Sequence, residues 1–142
     1  MDKVIEKENP VFRSGKVVHC AIWGPIELFD RTVIKYAGIQ IPVGSTNKYC
    51  RIVTLFSSQL INGRLIRYEL TGKKIGNVNE AYIYVNDVCI NEELVRRGYA
   101  IAIRDQSEMA SKLIELEEEA KEKNIGLWAF HPHENPFAEP LY

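Results

Sequence analysis

The stretch Ala81-Tyr-Ile-Tyr-Val-Asn-Asp87 is followed by Asn91-Glu-Glu-Leu-Val-Arg-Arg-Gly-Tyr-Ala100. The first stretch is rich in aromatic and β-branched residues and ends in the turn dipeptide Asn86-Asp87, so it predicts a strand and a turn. In the second stretch Asn91 is a typical N-cap, acidic residues fill the first turn, and Gly98 stands where a helix stops. The sequence therefore predicts a strand and a short helix in succession.

A longer helix is predicted over residues 107–123. Its apolar stripe has helical spacing and comprises Met109, Leu113, Leu116 and Ala120. The solvent-facing side is predicted to carry Glu115, Glu117, Glu118, Lys121 and Glu122. The apolar segment Ile125-Gly-Leu-Trp128 follows, with Trp128 expected at a packing position, and the proline-containing remainder predicts an irregular tail.

The first half of the chain predicts a meander of three strands, at residues 15–22, 26–29 and 32–39. Residues 47–61 have apolar side chains at steps of three and four, which indicates an amphipathic helix. The stripe is Tyr49, Ile52, Val53, Phe56, Leu60 and Ile61. A fourth strand is predicted at residues 64–70 and a polar loop at residues 72–77.

Composition limits the class of protein. A chain of 142 residues with 46% hydrophobic residues can bury one sizeable core, so one domain is expected. Nineteen acidic residues against 18 basic ones leave a net charge of -1, which removes the global basic field typical of nucleic-acid binders. Cys20, Cys50 and Cys89 lack metal-ligand spacing and are expected to be reduced thiols. We expect an intracellular protein, soluble or peripheral, and leave open an organelle such as the mitochondrion, because no secretory signal or membrane-spanning run occurs.

Three motifs resemble the staphylococcal nuclease family. Its pattern N-x-x-L-V-x-x-G-x-A is similar to residues 91–100, and its signature A-K-x-x-x-x-G-[IL]-W to residues 120–128. The segment Lys35-Tyr-Ala-Gly-Ile-Gln-Ile-Pro42 resembles the family's R-L-x-G-I-D-x-P-E. The resemblance spans roughly residues 15–136 and implies an α+β fold: a five-stranded oligonucleotide/oligosaccharide-binding (OB) β-barrel with three helices. We therefore predict an N-terminal arm at residues 1–13, the barrel domain at 14–128 and a proline-rich tail at 129–142.

Nucleases of this family hold one calcium ion with two aspartates, activate water with a glutamate and clamp the phosphate with two arginines. The chemistry needs carboxylate oxygens for calcium, a base near the water and fixed cations for the developing charge. The resemblance places these groups on the following residues of this chain: Ile22 to Pro25 and Gln40 for the aspartates, Val43 for the glutamate, Lys35 and Val78 for the arginines. Only Lys35 keeps a charge, so we expect no catalytic residues, no metal, no cofactor and no calcium-dependent nuclease activity.

Other acidic residues and histidines could in principle bind a metal, but structural roles are favoured for them. Glu27 and Asp30 are the only acidic side chains on the second strand that could substitute for the lost ligands, and a surface position near a turn is favoured for Asp30. His131 and His133 with Glu134 resemble a metal cluster, but a solvent-exposed tail is favoured.

Three functional hypotheses follow from these residues. The first is a non-catalytic domain acting as a protein-interaction or structural accessory subunit of a larger assembly, with Phe137, Leu141 and Tyr142 docking on the protein partner. The second is a degenerate OB module that binds RNA or single-stranded DNA through Lys35, Tyr36, Arg104 and central basic residues. The third is an active calcium-dependent nuclease with relocated ligands.

Overall fold

The structure is a computed structural model that describes residues 12–20, 25–41, 48–105 and 107–129. Alternation of β-branched and aromatic residues produces the strands, and apolar residues at helical spacing produce the helices. The elements in chain order are β1 Phe12–Cys20, β2 Ile26–Leu28, β3 Val33–Tyr36, β4 Ile39–Gln40, α1 Lys48–Ile61, β5 Leu65–Ile75, β6 Val78–Val85, β7 Val88–Cys89, α2 Ile90–Arg96, β8 Ile101–Ala102, α3 Ala110–Lys123 and a 3₁₀ helix at Gly126–Ala129.

Five strands close into a ring. The order β3-β2-β1-β5-β6 is antiparallel throughout, and β3 also pairs with β6 in parallel, from Val33 opposite Val78 to Tyr36 opposite Ala81. β7 extends the sheet beside β6, and β4 pairs with β8 in a separate two-stranded sheet. The predicted α+β fold, with a closed five-stranded sheet and three helices, is confirmed.

The core lies inside the ring and beneath α2 and α3. Alternate residues of the strands point inward, so Ile34, Ile66 and Ile83 are almost completely buried. Leu94 of α2 and Leu113 of α3 join the same cluster. Burying one such side chain contributes about 1.5–3 kcal/mol relative to exposure, so barrel and helices stabilise one another.

Three boundaries differ from the prediction. β1 begins at Phe12 and so enters the predicted N-terminal arm. β5 continues to Ile75, because Lys74 and Ile75 pair with β6, so the predicted polar loop is wrong except for the turn at residues 76–77. The predicted third strand is broken after Tyr36, because Gly38 has a φ of 75°, outside the strand region.

Some predicted faces of the helices also differ. Ile52, predicted to face the core, is 38% exposed, whereas Ser57 of the same helix is buried. Glu117, predicted on the solvent face of α3, is buried because it accepts hydrogen bonds from the Ala102 amide and from Arg104. Among the described residues, no helix is long and apolar enough to span a membrane.

Asn91 was expected to cap α2, and this prediction is wrong. The helix begins at Ile90, and the Asn91 side chain is fully buried. Its Oδ1 accepts from the Ile83 amide at 2.9 Å, and its Nδ2 donates to the Ala37 carbonyl at 2.9 Å and to the Ala81 carbonyl at 3.1 Å. The carboxamide thus joins α2 to backbone groups of β6 and of the chain after β3, and the Ala81 carbonyl also accepts from the Ala37 amide at 2.9 Å.

Two glycines of the family-like motifs meet backbone to backbone. Gly98 and Gly126 have φ values of 79° and 62°. A Cβ on Gly98 would overlap the Ile125 carbonyl oxygen, and one on Gly126 would overlap the Arg97 carbonyl oxygen. The Leu127 amide donates to the Gly98 carbonyl at 2.9 Å. The end of α2 is thereby fastened to the 3₁₀ helix, and the ring of Trp128 lies 5.1 Å from the Lys121 ammonium.

Candidate functional site

The parallel pairing of β3 and β6 brings the two residues aligned with the family's arginines onto adjacent strands. Val78 lies opposite Val33, and Lys35 lies opposite Glu80. The Lys35 Nζ is 3.7 Å from the Glu80 Oε2, and the two side chains are 38% and 19% exposed. Since a carboxylate already balances the Lys35 charge, this end of the barrel offers a valine pair and an ion pair in place of two free cations.

The residue aligned with the second family aspartate lies on a different small sheet. Gln40 is half-buried in β4 and pairs with Ile101 of β8. A neutral carboxamide can contribute one oxygen to a metal but no charge. Among the residues that the structure describes, no group of three or more histidine, cysteine, aspartate or glutamate side chains could hold a metal ion.

Part of the expected site lies outside the described residues. This is true of Ile22, Trp23 and Gly24, which align with the first aspartate motif, and of Val43, which aligns with the general base, so these positions are known only from the sequence. The candidate metal cluster at His131 and His133 also lies outside the described residues. So do the proposed docking residues Phe137, Leu141 and Tyr142.

The acidic residues considered as substitutes take surface roles. Asp30 is fully exposed in the turn after β2, where its Oδ1 accepts from the Thr32 amide at 2.9 Å. This hydrogen bond holds the pKa of the Asp30 carboxyl below its ordinary value. Glu27 is exposed on β2, where it pairs with His19 of β1. Neither carboxylate joins a cluster that could bind a cation among the described residues.

Tyr36, proposed as a ligand contact, is placed where it cannot perform that role. The side chain is 8% exposed, and its hydroxyl lies 2.7 Å from the Ser57 Oγ of α1. Burial raises the pKa of the Tyr36 hydroxyl well above its ordinary value. The ring is therefore part of the contact between barrel and helix and cannot stack with a base.

Arg104 is occupied by a buried carboxylate. Its Nη2 donates to the Glu117 Oε2 at 2.8 Å and its Nη1 to the Glu117 Oε1 at 3.2 Å, while Nη1 also contacts the Ala102 carbonyl at 3.1 Å. This fork is the arrangement with which arginine binds a phosphate. Glu117 fills this fork, so Lys35, Tyr36 and Arg104 each already have a partner within the chain.

A shallow cleft opens between α1 and the barrel. Its empty space is about 270 Å³ including open solvent, and its lining includes Cys20, Tyr36, Ile41 and Val53. Burial raises the pKa of the Cys20 thiol, which opposes formation of a reactive thiolate. Cys20 and Cys89 are both free thiols, as predicted. The cleft supplies apolar surface and no charged group for phosphodiester chemistry.

Sequence reasoning missed a cluster on the outer face of the ring. Phe12, Arg67 and Tyr84 lie together on β1, β5 and β6, with the Arg67 guanidinium carbon 4.9 Å from the Phe12 ring centre and 5.8 Å from that of Tyr84. Alternation along β5 indicates that Arg67 faces outward. The sequence does not show that the other two residues lie on neighbouring strands.

Comparison with known proteins identifies the family. The family model described as staphylococcal nuclease homologue matches residues 33–130, more than half of the chain. An uncharacterized protein of Methanocaldococcus jannaschii is 38% identical over 52 residues, which cover 34% of this chain and 25% of that protein. The chain thus aligns with about a quarter of that relative's length. The matched region contains β3 to β8 and all three helices, so the chain belongs to the staphylococcal nuclease homologue family.

Proposed function

We propose that this chain is a non-catalytic member of its family that acts through its surface, as a protein-interaction or structural accessory subunit of a larger assembly. The observation that carries the proposal is the Lys35–Glu80 ion pair beside the Val33–Val78 pair. This arrangement gives a phosphate no unopposed cation at the position of the family's arginines. Gln40 and Val43 add no carboxylate for calcium or for water activation.

The size of the expected loss in rate favours no nuclease activity over weak activity. Removing one preorganised electrostatic group from an active site lowers the rate by about 10²–10³. The chain lacks the aligned carboxylates, the base and one arginine, so these losses together would leave no measurable turnover. A nuclease with relocated ligands would need metal-binding side chains elsewhere, and the described residues contain no group of three or more histidine, cysteine, aspartate or glutamate side chains that could hold an ion.

A nuclease assay tests the non-catalytic part of the proposal. The purified chain is incubated with single-stranded DNA or RNA, with calcium and separately with a chelator, beside a catalytically active family member as control. We expect the substrate to remain intact in both conditions. Degradation that requires calcium and stops with the chelator would contradict the proposal.

Exposed apolar side chains support a protein partner. Leu55 is 59% exposed and Ile52 38% exposed on the same side of α1, where a solvated helix face would carry polar residues. Nucleic acid is less favoured, because Tyr36 is buried and Lys35 and Arg104 are each paired with a carboxylate. Interfaces between proteins place such apolar residues at their centre.

Co-purification tests the interaction part. The chain is isolated from its native source at moderate salt, and the partners that elute with it are identified. Because Ala129 belongs to the 3₁₀ helix, a variant lacking residues 130–142 removes the tail and keeps every described element. We expect that variant to lose affinity for the protein partner. Unchanged partner binding would argue against the tail as a docking segment, and elution with RNA alone would favour the nucleic-acid hypothesis.

A further inference from the structure

The two most exposed large apolar side chains of the described residues stand beside turns. Phe29 is 77% exposed and begins the turn after β2, and Leu65 is 71% exposed and opens β5 after the turn at residues 62–64. Scattered apolar residues are normal on a protein surface, but bulky ones that share one place mark a surface that binds something apolar. The pairing of the strands decides whether these two residues share one place.

Backbone pairing brings both residues beside Lys16 of β1. The Phe29 amide donates to the Lys16 carbonyl at 2.8 Å on one side of β1, and Leu65 pairs with Lys16 on the other side. Since neighbouring strands lie about 4.8 Å apart, the backbones of Phe29 and Leu65 are about 10 Å apart. Leu28 and Ile66, the adjacent residues, are buried in the barrel, so alternation turns the Phe29 and Leu65 side chains outward.

Three cations surround this apolar pair. Lys16 lies between the two side chains, Arg31 lies in the turn after Phe29, and Arg64 immediately precedes Leu65. All three cations are exposed, and within the described part of the chain none of them forms an ion pair with a carboxylate. We call these five residues the Phe29 patch.

The turn that carries Phe29 is ordered by its own hydrogen bonds. The Arg31 amide donates to the Leu28 carbonyl at 2.8 Å, and the Leu28 amide donates to the Thr32 carbonyl at 2.9 Å. The Asp30 carboxylate accepts from the Thr32 amide at 2.9 Å, so the acidic group of this turn is engaged within the turn. Phe29 and Arg31 are thus presented on an ordered turn, which lowers the entropic cost of binding.

Apolar side chains ringed by cations fit the surface of an anionic bilayer. The apolar groups enter the boundary between headgroups and acyl chains, and the cations meet the negative charge of the lipid headgroups. The net charge of the chain is -1, so this attraction has to come from a local group of cations. We propose that the Phe29 patch docks this protein on a membrane surface that contains anionic lipid, which goes beyond the proposed function.

The composition and shape of the patch favour lipid over other polyanions. Single-stranded nucleic acid binds by stacking bases on aromatic rings, and the patch offers one ring beside the aliphatic Leu65. The patch also lies on the outer, convex side of a closed ring of strands. A bilayer needs no groove for docking, because protruding side chains insert into it.

Co-sedimentation with vesicles tests the proposal. The full chain is mixed with vesicles of phosphatidylcholine alone or of phosphatidylcholine with phosphatidylserine. We expect binding to the mixed vesicles only, and weaker binding as salt is added. Lys16→Glu and Arg64→Glu should each lower the partition coefficient about fivefold or more, because each removes a cation near the lipid surface. Lys123→Glu is the matched control: it reverses the same charge on exposed α3, outside the patch, and should have a smaller effect.

Variants of the apolar residues separate insertion from attraction between charges. Replacing both residues, with Phe29→Ser and Leu65→Ser, should lower the partition coefficient about tenfold or more. Leu55→Ser is the control, because Leu55 is 59% exposed on α1, outside the patch. Phe29→Trp should raise the partition coefficient, because tryptophan is favoured at membrane interfaces. A gain in binding cannot result from a loss of folding.

Several outcomes would overturn the proposal. They are no binding to the mixed vesicles, equal binding to phosphatidylcholine alone, losses in Lys123→Glu or Leu55→Ser as large as those in the patch, or no gain in Phe29→Trp. Tighter binding of polyuridylate or polyglutamate that Lys16→Glu abolishes and Leu65→Ser leaves intact would also overturn it, in favour of a nucleic acid or an acidic protein. None of these readouts depends on nuclease activity or on a protein partner, so the proposed function can fail or hold independently.

Discussion

Glu117 lies in the middle of α3 with its side chain only 3% exposed. Burial opposes its ionisation, but hydrogen bonds from Arg104, the Ala102 amide and Lys121 together hold the pKa of its carboxyl below the ordinary value. The carboxylate thereby joins β8 to the helix. A buried charged acceptor that bonds to β8 and to its own helix contributes to stability, because removing it would leave several donors without a partner.

We expect a Glu117→Gln substitution to lower the free energy of unfolding by about 2 kcal/mol at pH 7, because Arg104 and Lys121 lose a charged partner. The pKa is depressed in the folded state, so the stabilisation is complete above the unfolded value of about 4.3 and is lost as pH falls through the folded value. The difference between wild type and variant should therefore shrink below about pH 4. Urea unfolding across pH measures it, with exposed Glu119→Gln as control. A difference that stays constant down to pH 2 would contradict this role.

Buried polar residues were the least predictable positions. The pattern around Asn91 matches a helix cap, yet its carboxamide bonds to Ile83 and to Ala37, which is distant in sequence. Sequence patterns report periodicity and local hydrogen-bond chemistry, and they cannot name a backbone group supplied by another strand. Glu117 was assigned to solvent for the same reason, since its partner Arg104 is fixed by the packing of β8 on α3.

At the scale of elements, the contact of Gly98 with Gly126 fastens α2 to the 3₁₀ helix. Both residues have positive φ, and each would place a Cβ against the other segment's backbone. The two family-like motifs that contain these glycines are thus two sides of one contact. A physical reason exists for glycine at each position: the conformation and the close approach both exclude a side chain.

A Gly98→Ala substitution should destabilise the protein by more than about 3 kcal/mol, because the new methyl group meets backbone that cannot move aside. Gly63→Ala is a matched control: its φ is 75°, close to the 79° of Gly98, but no atom lies within 4 Å of its added Cβ. We expect the control to cost only about 1 kcal/mol, the penalty of the left-handed conformation. Chemical denaturation of both variants gives the comparison. Equal losses would show that conformation, and not the close approach, requires glycine at position 98.

Elements were predictable where local patterns are strong. The periodicity of residues 47–61 gave α1 within one residue, and the aromatic run before Asn86 gave most of β6. Gly72 and the lysines at 73 and 74 favoured a loop, but β5 continues through them, because Lys74 and Ile75 pair with β6. Pairing across a hairpin outweighs weak strand propensity, and a single sequence does not show that pairing.

For the whole molecule, the resemblance predicted the fold because its motifs cover the elements that close it. The loss of charge at two positions of the candidate site could also be predicted from the sequence, because Gln40 and Val78 are neutral whatever their geometry. The pairing of Lys35 with Glu80 could not be predicted, because it depends on the parallel register of β3 and β6. Whether a retained cation is free or balanced is a property of the closed ring, and it decides what that cation can bind.

The same closure predicts how the molecule unfolds. Ile83 of the barrel and Leu127 of the 3₁₀ helix belong to one buried cluster, so neither region has a core of its own. We expect an Ile83→Ala substitution to cost about 2–5 kcal/mol and to lower the unfolding midpoint equally for barrel and 3₁₀ helix. Near-ultraviolet circular dichroism of the tyrosines follows the barrel, and Trp128 fluorescence in a Trp23→Phe background follows the 3₁₀ helix. If Trp128 kept the parent midpoint while the tyrosine signal shifted, the helical layer would be stable without the barrel, contrary to a single shared core.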